Sequence, residues 1–156
     1  MSAPPQAAAL RSPLAIVFLL HIALEAPVAI QGLFSPMSLP FIQLNNTSLV
    51  LLKLYASLSL GISITSLLAY PLPDFLPAKR ALAIGLCVYH SAVSTVLFQA
   101  PRFIPHSFGV LAEANKVTPE IVWGTVHGVI GLGMIFWWQA TAPLTAQLAA
   151  MQRRAT

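Results

Sequence analysis

The chain is 156 residues long, 57% hydrophobic and only 8% charged, against roughly 25% charged in an ordinary soluble domain. Eight Lys and Arg, four acids and four His cannot cover a water-facing surface, so the composition excludes most soluble folds. The formal net charge of +4 reflects scarce acids; the cations are scattered and interleave with no aromatic cluster, which argues against a nucleic-acid partner.

In chain order, the apolar residues fall into four blocks of about membrane-spanning length. Residues 13 to 34 form the first span, with Ser12 as N-cap and Pro13 at the first helical position, where its missing N–H costs nothing. Arg11 ahead of this run raises a signal peptide as an alternative. The run continues past His21 and Glu25 to Phe34 without a clear A-x-A site, and reads as a span instead. Pro27 is predicted to kink it and to weaken the bond to the carbonyl of Ala23. Residues 47 to 70 follow a loop with Pro36 and Pro40 and stop before Pro71, Pro73 and Pro77. Lys53, Ser57, Gly61 and Thr65 recur there every four residues, a small and polar stripe predicted to face another helix. Residues 79 to 100 run up to Pro101. The single Cys87 within them excludes an intrachain disulfide framework and any cysteine-rich metal site; Cys87, His90, Ser91 and Ser94 share a face. Residues 119 to 141 open after Thr118 and close before Pro143. Trp123, Gly124, His127, Gly131 and Met134 share a face there, and Gly124 and Gly128 form a G-x-x-x-G suited to close packing or to a homo- or hetero-oligomer contact.

Twelve of the thirteen prolines lie in tails, loops or terminal turns, as expected of helices in lipid, where every backbone group must be bonded internally. The expected fold is all-α: one integral membrane domain, a four-helix bundle. Arg11, Lys79, Arg80, Arg153 and Arg154 fall on one side and Arg102 and Lys116 on the other, so the positive-inside rule places both termini in the cytosol. Trp137 and Trp138 then belong to the cytosolic interface and Trp123 to the opposite one. An endoplasmic reticulum or other secretory-pathway membrane is the expected location. Asn45 and Asn46 begin glycosylation sequons on the non-cytosolic side, close to the second helix. Arg102, His106, Glu113 and Lys116 read as a solvated loop face.

Ionisable groups inside a span cost about 2.5 to 3.5 kcal/mol on insertion scales, so His21, Glu25, Lys53, His90 and His127 need a reason. Counted from each span's centre, Glu25 and His90 lie within ~3 Å of the midplane, His127 roughly 5 Å and Lys53 roughly 7 Å away. Four helices thus contribute to one polar layer, and a shared cavity is expected. His21 and Glu25, four residues apart, stack on one helix face and can hydrogen-bond. The required parts of an intramembrane acid–base site for a lipid, sterol or isoprenoid-like molecule are present. Glu25 would protonate an apolar alkene with His21 tuning it, Lys53, His90 and His127 would hold substrate or relay the proton, and Trp123 would stabilise cationic character.

Other readings use the same residues. A non-enzymatic accessory or scaffold protein would need the polar layer only for packing. A haem b protein would use His90 and His127 as axial ligands. Three His and a Glu are also metal donors, but no H-E-x-x-H or similar spacing marks a site, and no metal is expected. Four spans without an internal repeat offer no alternating-access machinery.

The H-x-x-x-E of His21 and Glu25 in a transmembrane helix, with Trp123 and His127 on a later span, resembles the emopamil-binding (EXPERA) class, and the four-span size resembles DoxX-like proteins. That resemblance implies proton transfer of the sterol-isomerase kind. The stretch from LNNTSLVLLKLY through KRALAIGLCVYH to TPEIVWGTVHG is similar to uncharacterised four-span membrane proteins of fungi, which implies a family without an activity.

Overall fold

Local capping signals set where each helix begins. In the computed structural model, which describes residues 12–41, 43–146 and 150, the Ser12 hydroxyl accepts from the Leu14 amide at 3.2 Å. This opens a 3-10 turn, Pro13–Ala15, that runs into α1, Ile16–Phe34. Helix α1 continues through Pro27 without a break. Asn45 and Ser48 form a reciprocal capping box that starts α2, Asn46–Ala69, satisfying two otherwise orphaned amides. Pro77 is the first residue of α3, Pro77–Gln99. After the short α4, Val110–Ala114, the Thr118 hydroxyl accepts from the Ile121 amide and Pro119 starts α5, Pro119–Ala140. The described residues contain no strand. Among the described residues four helices are long and apolar enough to cross a membrane; the ends of α2, α3 and α5 fall within two residues of those expected, while α1 begins three residues later than expected, after the 3-10 turn. Of the cations used for sidedness, Arg11, Arg153 and Arg154 lie outside the described residues.

The helices form two tight pairs, α1 with α2 and α3 with α5, joined mainly through α1 and α5. Small residues permit both seams. A Cβ on Gly32 of α1 would meet the Ala56 Cβ of α2 at 3.3 Å. On Gly124 it would meet the Leu97 Cβ at 3.1 Å, and on Gly128 the Ser94 Oγ at 3.1 Å. Both glycines of the G-x-x-x-G therefore pack on α3 within the chain.

The outer surface is apolar, with Leu20, Phe34, Leu54, Leu68, Val96, Leu132 and Phe136 all exposed, while His21, Glu25, His90, His127, Asp74, Lys79 and Glu120 are buried. This inside-out distribution fits a lipid surround and is the reverse of a soluble bundle. Outward hydroxyls are tolerated because each bonds the carbonyl four residues back, as Ser57 does to Lys53, Thr65 to Gly61, Thr95 to Ser91 and Thr125 to Ile121.

Lys53 does not join the interior. It is exposed, as are Ser57, Gly61 and Thr65, and the expected stripe points away from the other helices. A strict four-residue repeat advances ~40° per step, so it starts about 60° from Ala56 and ends opposite it. The buried stripe is Ala56, Ser59, Ser63 and Ser66, alternating steps of three and four and staying within about 80°. Lys53 can extend its stem along the apolar surface toward the helix end.

At the end of the bundle that holds Ser12, an apolar cluster contains Phe18, Leu86, Met134 and Trp137, with the Phe18 and Trp137 rings edge-on at 5.1 Å. Trp137 is fully buried, so the expected interfacial place is corrected for it: it shares the inner face with Met134. Lys79 is likewise more than a surface cation. Its ammonium lies 2.9 Å from Asp74, donates to the carbonyls of Tyr70 and Leu72, and sits 5.4 Å from the centre of the Phe18 ring. The Ser12 amide donates to the other Asp74 oxygen at 2.6 Å. Arg80 donates to Thr141 and to the Trp138 carbonyl. These bonds tie the starts of α1 and α3 to the ends of α2 and α5 at one end of the molecule.

Candidate functional site

The polar layer forms midway along the helices, and all four long helices contribute to it. Glu25 and His21 come from α1, Tyr55 and Ser59 from α2, Tyr89 and His90 from α3, and His127 from α5. Gly131 brings the last two close, since a Cβ there would lie 3.4 Å from the His90 Cβ. His21, Glu25, His90 and His127 are each at most 2% exposed.

The two oxygens of Glu25 have different surroundings. Oε2 lies within hydrogen-bond distance of three hydroxyls: Tyr89 at 2.8 Å, Ser59 at 3.0 Å and Tyr55 at 3.1 Å. The two phenol oxygens are also 2.5 Å apart, and since each carries one proton, a bond between them takes the place of one of the two to Glu25. Oε1 has no hydrogen-bond partner and faces Nε2 of His127 at 3.5 Å. From His127 a chain of imidazoles runs inward. Nδ1 of His127 meets Nδ1 of His90 at 2.9 Å, and Nε2 of His90 meets Nδ1 of His21 at 3.0 Å. Nε2 of His21 ends the chain without a partner.

Sequence reasoning thus identified four of these residues, His21, Glu25, His90 and His127, and the structure brings all four together. The expected direct bond between His21 and Glu25 is replaced. His21 pairs with His90, and Glu25 is taken by hydroxyls from α2 and α3, because groups on neighbouring helices reach them more directly than a partner one turn away. Trp123 is half-buried, with its ring 6.0 Å from that of His127. Lys53 is absent from the cluster. Tyr55, Ser59 and Tyr89 were not anticipated. Ser59 lies four residues after Tyr55 and Tyr89 adjoins His90, and those spacings were the available signals.

Beside this layer an apolar cavity of ≈ 490 Å³ lies between the two helix pairs. Val28, Leu52, Val93, Val96, Phe103 and Trp123 line it, and so does Tyr55. It lies toward the bundle end opposite Asp74 and Lys79, where the loop after α3 closes over it. That loop is held by Glu120, which accepts the amides of Phe103 and Ile104 at 3.0 and 2.9 Å, and by Arg102, which donates to Glu113 and to the His106 carbonyl. Arg102 and Glu113 are therefore paired and hold the loop, where the sequence reading saw only a solvated face.

The geometry bears on the haem alternative. Two axial imidazoles must stand on opposite faces of a macrocycle, yet His90 and His127 touch nitrogen to nitrogen at 2.9 Å. No gap for a porphyrin separates them, and the residues do not fit that group.

Comparison with family models, with curated proteins and with solved structures returned no match for this chain.

Proposed function

We propose that the chain is an integral membrane protein of the secretory pathway, cytosolic at both ends, that binds a lipid, sterol or isoprenoid-like molecule between its helix pairs and presents it to a proton-transferring group. The observation that carries this reading is Tyr55. Its side chain lines the apolar cavity and its hydroxyl bonds Glu25, so an apolar ligand with one polar or unsaturated end would meet a phenol backed by a buried carboxylate.

The cavity volume falls in the range of small-molecule sites, which are largely apolar with a few placed polar groups. Trp123 on the wall offers a π-face to developing positive charge. Tyr55 is the relay at the ligand: its oxygen takes a proton from the ligand as its own hydroxyl proton passes to Oε2 of the Glu25 carboxylate, the reverse passage returns one, and Tyr89 and Ser59 hold that oxygen in place. Exclusion of water by the surrounding side chains favours such a transfer. The histidine chain approaches Glu25 from its other oxygen.

The test is purification of the full chain in mild detergent, with bound lipids extracted and measured by mass spectrometry against total membrane lipid. The reading expects one class of apolar molecule to be enriched in wild type and lost in Ala92→Trp, which fills the cavity from α3. Lipid matching the bulk membrane in both samples would sink it and leave a scaffold role.

A further inference from the structure

We infer that Glu25, His127 and His90 form a site for one divalent transition-metal ion, of the zinc or ferrous class. This goes beyond the ligand reading, since it concerns Oε1 of Glu25 and the histidines, while the cavity meets Oε2 through Tyr55.

The first support is a distance. Oε1 of Glu25 and Nε2 of His127 are 3.5 Å apart, long for a hydrogen bond between nitrogen and oxygen. With metal–ligand bonds of about 2.0 to 2.2 Å, the edge of a coordination tetrahedron is about 3.3 to 3.5 Å. The pair is spaced as two ligands of one ion would be. One donor atom from each of Glu25, His90 and His127 lies within 4.8 Å of the others, and rotation of the imidazoles brings all three onto one centre. The contact that yields is the 2.9 Å approach of Nδ1 of His90 to Nδ1 of His127, which breaks as Nδ1 of His90 turns to the ion held between Nε2 of His127 and Oε1 of Glu25.

The second support is satisfaction of donors and acceptors. Oε1 of Glu25 and Nε2 of His127 are both buried without a hydrogen-bond partner, and leaving such groups unsatisfied is costly. The two atoms face each other across the same space. The hydroxyls of Tyr55, Ser59 and Tyr89 on Oε2 orient the carboxylate as outer-shell donors orient a ligating carboxylate, and His21 does the same for the far nitrogen of His90.

The third is charge. Glu25 would bind a metal as the carboxylate, and among the described residues no Lys or Arg stands opposite it. Lys79 is with Asp74, Arg102 with Glu113, Arg80 with Thr141, and Lys53 is exposed. A dication supplies the missing positive charge in a region where an unpaired anion is costly. Two imidazoles and one carboxylate suit zinc or ferrous iron and leave coordination positions open.

The experiment uses the full chain purified without chelators. Elemental analysis is expected to find about one zinc or iron per chain, the element deciding between the two ions. After chelation, titration of wild type with Co²⁺ is expected to produce ligand-field absorption that saturates near one equivalent, with affinity at least tenfold weaker in His127→Ala and Glu25→Gln. Wild-type protein that holds no stoichiometric metal and gives no ligand-field bands with Co²⁺ overturns the proposal without recourse to any variant. So does an unchanged cobalt spectrum in both variants. Lipid enrichment is a separate readout, so the two proposals fail independently.

Discussion

Tyr55 reaches from α2 to donate its hydroxyl to Oε2 of Glu25 on α1 at 3.1 Å, and Tyr89 reaches the same oxygen from α3 at 2.8 Å. One carboxylate oxygen therefore ties both helix pairs together. Removing the side chain and removing its charge should have different consequences. Glu25→Gln keeps an oxygen for the three hydroxyls, and its thermal unfolding midpoint in detergent should stay within a few degrees of wild type. Glu25→Ala removes the acceptor shared by Tyr55, Ser59 and Tyr89, leaving buried Ser59 unsatisfied and the phenols only each other, and should cost about 1 to 3 kcal/mol. Equal midpoints for the two variants would refute this account of the network.

Lys79 and Asp74 are both fully buried and 2.9 Å apart, so each is the other's compensation. Lys79→Met leaves the Asp74 charge and the Tyr70 and Leu72 carbonyls without their donor, and should destabilise by about 3 to 5 kcal/mol. Combining it with Asp74→Asn should cost less than the sum of the single changes, because the second removes the stranded charge. Lys53→Gln is the control, exposed on α2, and should move the midpoint little.

Glycines on the inner and outer faces should respond oppositely to alanine. A Cβ at Gly124 would lie 3.1 Å from the Leu97 Cβ and 3.4 Å from the Ser94 carbonyl oxygen, whereas at Gly61 nothing lies within 4 Å. Gly61→Ala should stabilise by up to about 1 kcal/mol through helix propensity. Gly124→Ala meets atoms fixed to the α3 backbone, and the separation of α3 and α5 it forces should outweigh that gain. Thermal midpoints of the two variants, measured side by side, decide the matter.

The helices and their ends were legible because proline, N-cap and apolar-run signals are local: Ser12 and Thr118 act where they stand, whereas Pro77, read as a stop for the second span, opens α3. The histidines and Glu25 were legible for a related reason: in an apolar run an ionisable group has few explanations, and depth alone groups it with others. What depth cannot show is azimuth. Lys53 lies near the layer in height yet faces outward, since that depends on the phase of α2 against α1, which is set by packing at Ala56 and Gly32. Tyr55 and Tyr89 were missed because a tyrosine in a span passes for an apolar or interfacial residue until a buried acceptor is found opposite it. Asp74 sits in a proline-rich turn, where nothing local foretells that Lys79 and Ser12 will enclose it.

The loop after α3 should respond to acid. The Arg102 guanidinium donates to both oxygens of Glu113, at 2.8 and 2.9 Å, and these bonds hold the Glu113 carboxyl below its usual range. A carboxyl depressed in the folded state contributes stability above its unfolded value of about 4.3, and that contribution is lost as pH falls through the lower folded value. The tether should therefore persist through mildly acidic conditions and release only below the ordinary glutamate range, earlier at high salt because the pair is partly exposed. An NMR titration of the Glu113 side-chain carbon reads this directly. A midpoint at or above that of a free glutamate would show that the pair does not form in solution.

Tyr55 and Tyr89 allow the cavity to be separated from the network behind it. Both phenols lie within hydrogen-bond distance of the same oxygen of Glu25 and of each other, two protons among three contacts, so replacing either with phenylalanine removes similar bonds and should cost a similar ~1 kcal/mol. Only Tyr55 lines the apolar cavity. Tyr55→Phe should therefore lower recovery of the bound lipid-like molecule several-fold, while Tyr89→Phe, at matched stability, should leave it near wild type. If the two variants lose ligand equally, the loss travels through Glu25 and the fold of the site, and the ligand makes no polar contact with Tyr55. If neither loses any, the molecule is held by the apolar wall alone, and the phenol has no part in presenting it to Glu25.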